Sequence, residues 1–173
     1  MGSLLNNTCF AQENPKGRTR TGDVGDVLQY ALPASALALT YVKGDREGAG
    51  QMLKGLAASV VLSYGLKEAI SKERPDGRDD ESFPSAHTAA SFHAAGFIHE
   101  RYGWKPAIAA YVAAAYVGHS RVHDDRHDEQ DVLAGAAIGY VMARWFTTKR
   151  GEVAITPQFS EGYVGLSFYR TLP

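Results

Sequence analysis

The feature that most constrains this chain is a polar stretch, Ser120-Arg121-Val122-His123-Asp124-Asp125-Arg126-His127-Asp128-Glu129-Gln130-Asp131, lying between two Ala-rich apolar runs. Those runs are Pro106–Gly118 and Val132–Phe146. Apolar runs of that length read as helices, and the stretch joining them reads as a loop. Cations, imidazoles and carboxylates so placed are costly to bury unless each finds a partner. The other parts of the chain therefore have to supply partners, or a ligand must.

A length of 173 residues suffices for one domain with a real core and is short for two. The formal net charge of −1 argues against a nucleic-acid partner, whose footprint is basic. It says little about small anions, which local clusters bind. Cys9 is the single cysteine, so no intrachain disulfide can form. The longest apolar runs (Val27–Val42, Leu53–Leu66, Ala107–Gly118 and Val132–Phe146) fall short of the roughly 18 unbroken apolar residues of a spanning helix. Rich in Ala and Gly, they are expected to be buried helices of a water-soluble bundle rather than membrane-embedded ones. Leu4–Asn14 resembles the tail of a secretory signal with cleavage near Ala11. An exported location follows, periplasmic or at the outer face of a membrane.

The pattern predicts an all-α fold, a compact bundle of five to six helices. Residues 1–20 read as a flexible lead-in, 21–150 as the helical domain and 151–173 as a β-prone tail. Thr21-Gly22-Asp23 could cap a first helix that runs to about Val42, kinked or started at Pro33. Lys43-Gly44-Asp45 makes a turn, and a second helix covers Arg46 to Glu73. Its core stripe is Leu53, Leu56, Ala57, Val60, Val61 and Tyr64, at helical spacing. Pro75–Phe83 is a loop. A third helix spans Ser85 to Arg101, a fourth Lys105 to His119 with Pro106 in its first turn, and a fifth His127 or Asp128 to Thr148. Gly135 and Gly139 suggest close approach to a neighbouring helix. Val153–Phe159 and Tyr163–Arg170 alternate as a hairpin would, and such strands could pair with another chain.

Lys67 and Arg74 are seven apart and would stack on one helical face, with Pro75 stopping the helix at Arg74. Two cations on an inward line fit an anion held at the helix end. Pro84-Ser85-Ala86-His87 opens the third helix, whose free N–H groups suit phosphate oxygens; Ser85 alone could serve only as a cap. His87, in the first turn, could protonate a leaving alkoxide. Arg121 suits bidentate phosphate contacts. His127 and Asp131, one turn apart, allow the carboxylate to fix one ring nitrogen and leave the other free to attack. On its own, such a pair is equally a surface salt bridge. His119, His123 and His127 are spaced by four and could ligate zinc on one continuous helix. The loop character of Arg121–Arg126 and the converging cations argue against that, so no metal is expected. His93 and His99 read as structural or exposed.

Lys67-x6-Arg74-Pro75, Pro84-Ser85-Ala86-His87 and Ser120-Arg121-x5-His127-x3-Asp131 together resemble the three-part signature of the type 2 phosphatidic acid phosphatase superfamily. Bacterial class A acid phosphatases, glucose-6-phosphatase and vanadium-dependent haloperoxidases share it. The resemblance covers Lys67 to Asp131, and it departs where Ala86 stands in place of the more usual Gly. It implies a metal-independent phosphatase for monoesters or pyrophosphates, lipid phosphates foremost. His127 would form a phosphohistidine, Asp131 would hold its ring, and His87 would act as acid and then base. Lys67, Arg74, Ser85, Ala86 and Arg121 would bind the phosphate, with no cofactor. The same pocket with vanadate bound would make a haloperoxidase, and without turnover a phosphate-binding protein. Expected partners are a phosphorylated lipid or small phosphoester and a membrane surface. Phe83, Phe92 and Trp104 are candidates for the pocket mouth.

Overall fold

The computed structural model describes residues 19–150, together with the backbone of two strands, 153–160 and 163–170. Five helices follow one another: α1 (Arg20–Val42), α2 (Arg46–Ile70), α3 (Ala86–Tyr102), α4 (Trp104–His123) and α5 (Glu129–Phe146). β1 (Val153–Ser160) and β2 (Tyr163–Arg170) pair antiparallel, with Val153 opposite Arg170 and Ser160 opposite Tyr163. The lead-in before Thr19, with Cys9 and the signal-like segment, lies outside the described residues.

The bundle is arranged around α3, which touches every other helix and is buried along most of its length. Its neighbours approach through small residues. A Cβ on Gly139 would fall 2.2 Å from the Ala89 carbonyl oxygen, and one on Gly135 2.3 Å from that of Ser85. The Gly135/Gly139 pair is thus a backbone contact between α5 and α3. On α1, Gly22 and Gly25 make room for Asp124 and Ser120 of α4 and its cap.

Several boundaries differ from the sequence expectation. α1 is capped by Thr19, whose hydroxyl accepts from the Gly22 N–H at 3.1 Å; Thr21 is already inside the helix. α2 ends at Ile70, where Ser71 turns left-handed at φ 46°, so Arg74 arrives on a loop and the helical stacking of Lys67 over Arg74 does not occur. α4 continues to His123, so Ser120 and Arg121 are helical, and the connecting loop is short.

The larger correction concerns α2. Its buried positions are Gly48, Met52, Gly55, Ser59, Ser63 and Lys67, while Leu53, Val61 and Tyr64 of the expected core stripe face outward. The buried hydroxyls are satisfied within the helix: Ser59 donates to the Gly55 carbonyl and Ser63 to that of Ser59, both at 2.8 Å. Small residues let backbones come close, and the large apolar side chains are left on the outside. α5 repeats the pattern, with Gly135, Gly139 and Ala143 inside and Leu133, Val141 and Trp145 outside.

At the end of the bundle remote from the polar loop, Arg101 is fully buried. Its guanidinium donates to both carboxylate oxygens of Asp45, at 2.7 and 2.6 Å, and to the Thr148 carbonyl at 2.8 Å. This clamp joins the α1–α2 turn, the end of α3 and the chain after α5.

Candidate active site

The N-termini of α1, α3 and α5 and the C-termini of α2 and α4 meet at one end of the bundle. A cavity of about 370 Å³ opens there, lined by Asp26, Gln29, Tyr30, Arg74, His87, Arg121, Arg126 and His127. His87 and His127, 40 positions apart in the sequence, therefore share one cavity with three arginines.

His127 is buried just before α5, and its ring orientation is set by the loop. Nδ1 lies 2.7 Å from the Ser82 carbonyl oxygen. A carbonyl can only accept, so Nδ1 carries the proton and Nε2 keeps its lone pair. Nε2 accepts from the Arg74 guanidinium at 3.4 Å. Burial, reinforced by the charges of Arg74 and Lys67, pushes the pKa of His127 down to about 3. The ring is neutral, and its Nε2 lone pair faces fixed positive charge.

Asp131 does not bond this ring. It lies 3.8 Å from Nδ1, beyond hydrogen-bond reach. Its carboxylate instead accepts from Lys72 Nζ at 2.7 Å, from the Ser82 hydroxyl at 2.5 Å and from the Asp128 N–H at 3.0 Å. Burial works against the charge, but these donors outweigh it and hold the carboxyl below its usual pKa. The expected His–Asp contact is thus replaced by a two-step connection, Asp131 to the Ser82 hydroxyl and the Ser82 carbonyl to His127. Sequence spacing missed Ser82 and Lys72; the only signal for either was the position of Lys72 inside the first motif, between Lys67 and Arg74.

His87 stands in the first turn of α3. Burial, and then the charge of Arg121, lower its pKa to about 4, with Asp26 pulling in the opposite direction. Arg121 is buried and held by α1: it donates to Asp26 at 2.7 Å and to the Gly22 carbonyl at 3.2 Å. Arg74 is anchored through Nε to Asp79 at 2.5 Å and through Nη1 to the Arg126 carbonyl at 3.3 Å. Lys67 is buried behind the cavity rather than lining it and donates to the Glu81 carbonyl. Burial, then Arg74, lower its pKa.

Ser85 acts as the cap of α3. Its hydroxyl pairs with that of Thr88 at 2.9 Å, accepts from the Thr88 N–H at 3.4 Å and does not line the cavity. Ala86 lines an adjoining groove. Of the aromatic candidates for the mouth, Trp104 and Phe92 pack with Tyr111 instead, and Phe83 does not line the cavity; Tyr30 does. His93 is a core residue whose Nε2 donates to the Met52 carbonyl at 3.2 Å, and His99 packs between Trp104 and Tyr111. His119 and His123 share a face of α4, but His127 lies on the loop turned toward Ser82. Among the described residues, no three His, Cys, Asp or Glu side chains gather as a metal site requires.

The fold is similar to that of LpxE from Aquifex aeolicus, with a TM-score of 0.63 at 19% identity, covering 77% of this chain and 88% of that one. In sequence, the chain is 31% identical over 160 residues to the lipid A 4'-phosphatase of Helicobacter pylori, covering 85% of this chain and 80% of the relative. It is 36% identical over 131 residues to the lipid A 1-phosphatase of Porphyromonas gingivalis, of whose length it spans only 29%. Residues 48–153, which include all three motifs, match the family model described as PAP2 superfamily. The chain belongs to the PAP2 superfamily.

Proposed function

We propose that the protein is a metal-independent phosphatase of lipid phosphates, working through a phosphohistidine at His127. The relatives named above are phosphatases of a phosphorylated lipid, and this chain resembles one of them over most of its length. It is accordingly a phosphoric monoester hydrolase. The observation that carries the mechanism is the tautomer of His127, whose proton is committed to Ser82 and whose lone pair meets the arginine-lined cavity. Nε2 attacks phosphorus, the bond from phosphorus to the ester oxygen breaks, and protonated His87 gives its proton to that oxygen. Neutral His87 then takes a proton from water, whose oxygen displaces Nε2 from phosphorus and releases phosphate. Arg74 and Arg121 neutralise the charge gathering on the equatorial oxygens, and Lys67 adds to the field from behind. Asp131 holds Ser82, and through it the ring.

A lipid-facing surface supports the choice of substrate. No Asp, Glu, Lys or Arg occurs between Asp26 and Lys43, Lys54 and Lys67, Glu81 and Glu100, Lys105 and Arg121, or Asp131 and Arg144. All five helices thus share an uncharged middle zone, and large apolar side chains stand outward within it: Val61 is 72% exposed, Val112 67% and Leu133 69%. Large apolar side chains turned outward on α1, α2, α4 and α5 suit a surface that meets lipid. No described helix is long and apolar enough to cross a membrane, so contact with lipid is assigned to the sides of the bundle. An exported location goes with this reading.

The test is phosphate release from a phosphorylated lipid, together with trapping of the intermediate from radiolabelled substrate. Wild type should yield an acid-labile, base-stable phosphoprotein, and His127→Ala should lose at least about 10³-fold in kcat. Near wild-type turnover by His127→Ala would remove the nucleophile assignment. Flotation with phospholipid vesicles tests the surface.

A further inference from the structure

A second groove, of about 270 Å³, adjoins the cavity and shares Gln29, Tyr30 and His87 with it. From this we infer that the groove between α1 and α2 holds the first part of the substrate's hydrocarbon tail, fixing which phosphoesters the site accepts. The inference rests on the phosphatase reading and adds where the non-reacting part of the substrate lies.

The argument comes from the direction in which three helices run. α1 and α3 begin at the catalytic end and α2 finishes there. On every wall the polar or reacting residue is therefore nearest the cavity and the apolar ones lie farther along. On α1 the order is Gln29 and Tyr30, then Pro33; on α2 it is Tyr64, then Val60 and Leu56; on the α3 floor it is Ala86 and His87, then Ala90. Ala86 and Ala90 leave the floor open, and past His87 no side chain of the groove carries a charge. A phosphate held against His127 would thus have its ester oxygen beside His87 and its carbon chain directed along the bundle axis.

The groove's length fits such a chain. Leu56 to Tyr64 covers two turns and a little more, about 12 Å at the helical rise. An extended carbon chain advances about 1.2 Å per bond, a third of the backbone repeat. Roughly ten bonds of tail therefore fit before the groove ends. Its lips are Tyr30 and Tyr64, both largely exposed and belonging to the outward apolar surface, so a tail can pass sideways out of surrounding lipid. Burying each methylene there favours long chains over short ones.

The experiment compares dodecyl phosphate with butyl phosphate in the wild type and in Leu56→Trp and Val60→Trp, both substitutions at half-buried wall positions. The ratio of kcat/KM, dodecyl over butyl, should exceed one in the wild type and fall about tenfold or more in each variant. Binding of dodecylphosphonate and butylphosphonate, which cannot be hydrolysed, should show the same loss of preference. A ratio that neither variant moves would overturn the groove while leaving the hydrolase intact. No turnover of any ester, with the phosphonate preference present in wild type and lost in the variants, would overturn the hydrolase reading and leave the groove standing.

Discussion

Asp131 and His127 are joined through Ser82, not to each other: the carboxylate stops 3.8 Å from the ring, and the Ser82 carbonyl takes the Nδ1 proton at 2.7 Å. The hydroxyl of the same serine is bound to Asp131 at 2.5 Å. One residue therefore fixes the ring with its backbone and is itself fixed by its side chain.

This arrangement predicts that Ser82→Ala lowers kcat, whereas a direct His–Asp contact would make that substitution silent. Loss of the hydroxyl frees the carbonyl to drift and leaves one carboxylate oxygen of Asp131 short of a donor. A loss of about 10–100-fold is expected, the scale seen when groups behind a reacting ligand are removed. Steady-state kinetics on one soluble phosphoester decides it, and wild-type kcat would contradict the connection.

The pH dependence follows from the two depressed histidines. In the free protein His127 is neutral above about 3, and His87 holds its proton only below about 4. kcat/KM, which reports the free enzyme, should peak in this acid range. A bound phosphate dianion favours the protonated imidazole, so the alkaline limb of kcat should lie at higher pH than that of kcat/KM. Superimposed alkaline limbs would count against His87 as the acid.

The same shifts bear on stability. His87, His93 and His127 all fall below 6.5 on folding, so the unfolded chain binds more protons once pH drops through 6.5. Stability must then decline toward acid pH, the loss growing down to the folded values near 4 and 3. Thermal midpoints between pH 7 and 4 should fall, and His93→Gln should flatten that slope.

At Gly139 a side chain has no room. A Cβ would meet the Ala89 carbonyl oxygen at 2.2 Å and the His93 nitrogen at 2.7 Å, both rigid backbone. Gly139→Ala should destabilise by about 1–3 kcal/mol through overpacking, measured by denaturant unfolding. Gly50→Ala on α2, where nothing lies within 4 Å, is the control and should be neutral or slightly stabilising.

The Arg101–Asp45 clamp lies at the far end from the chemistry. Arg101→Met strands a buried carboxylate and should cost about 3–5 kcal/mol. Burial opposes the Asp45 charge, but Arg101 and its other donors bring the pKa down to about 2. The stabilisation is thus complete above 3.8 and is lost as pH falls through about 2. In Arg101→Met that acid transition should shrink, with kcat retained at temperatures where the variant is folded.

The helices were legible because Gly, Pro and charge punctuate them, and the two histidines that share the cavity because three motifs carry them. The face of α2 was not. Periodicity finds an apolar stripe but cannot say whether it turns toward protein or away, and here Gly48, Gly55, Ser59 and Ser63 took the inside. Lys67 and Arg74 were placed on one helix because seven residues span two turns. The left-handed Ser71 broke that spacing, and the loop restored the convergence by another route. Ser85 was offered as cap or ligand; it accepts from the Thr88 N–H and so caps α3. The role of Ser82 comes from its backbone carbonyl, which no side-chain pattern encodes.

Arg121 answers to two helices at once. It is covalently part of α4, yet its guanidinium is moored to Asp26 and to the Gly22 carbonyl of α1. His127 has no such tie to α1, being steadied from the Ser82 side. Sliding the first helix along the fourth would therefore shift the charge that Arg121 sets against His87 while leaving His127 where it is.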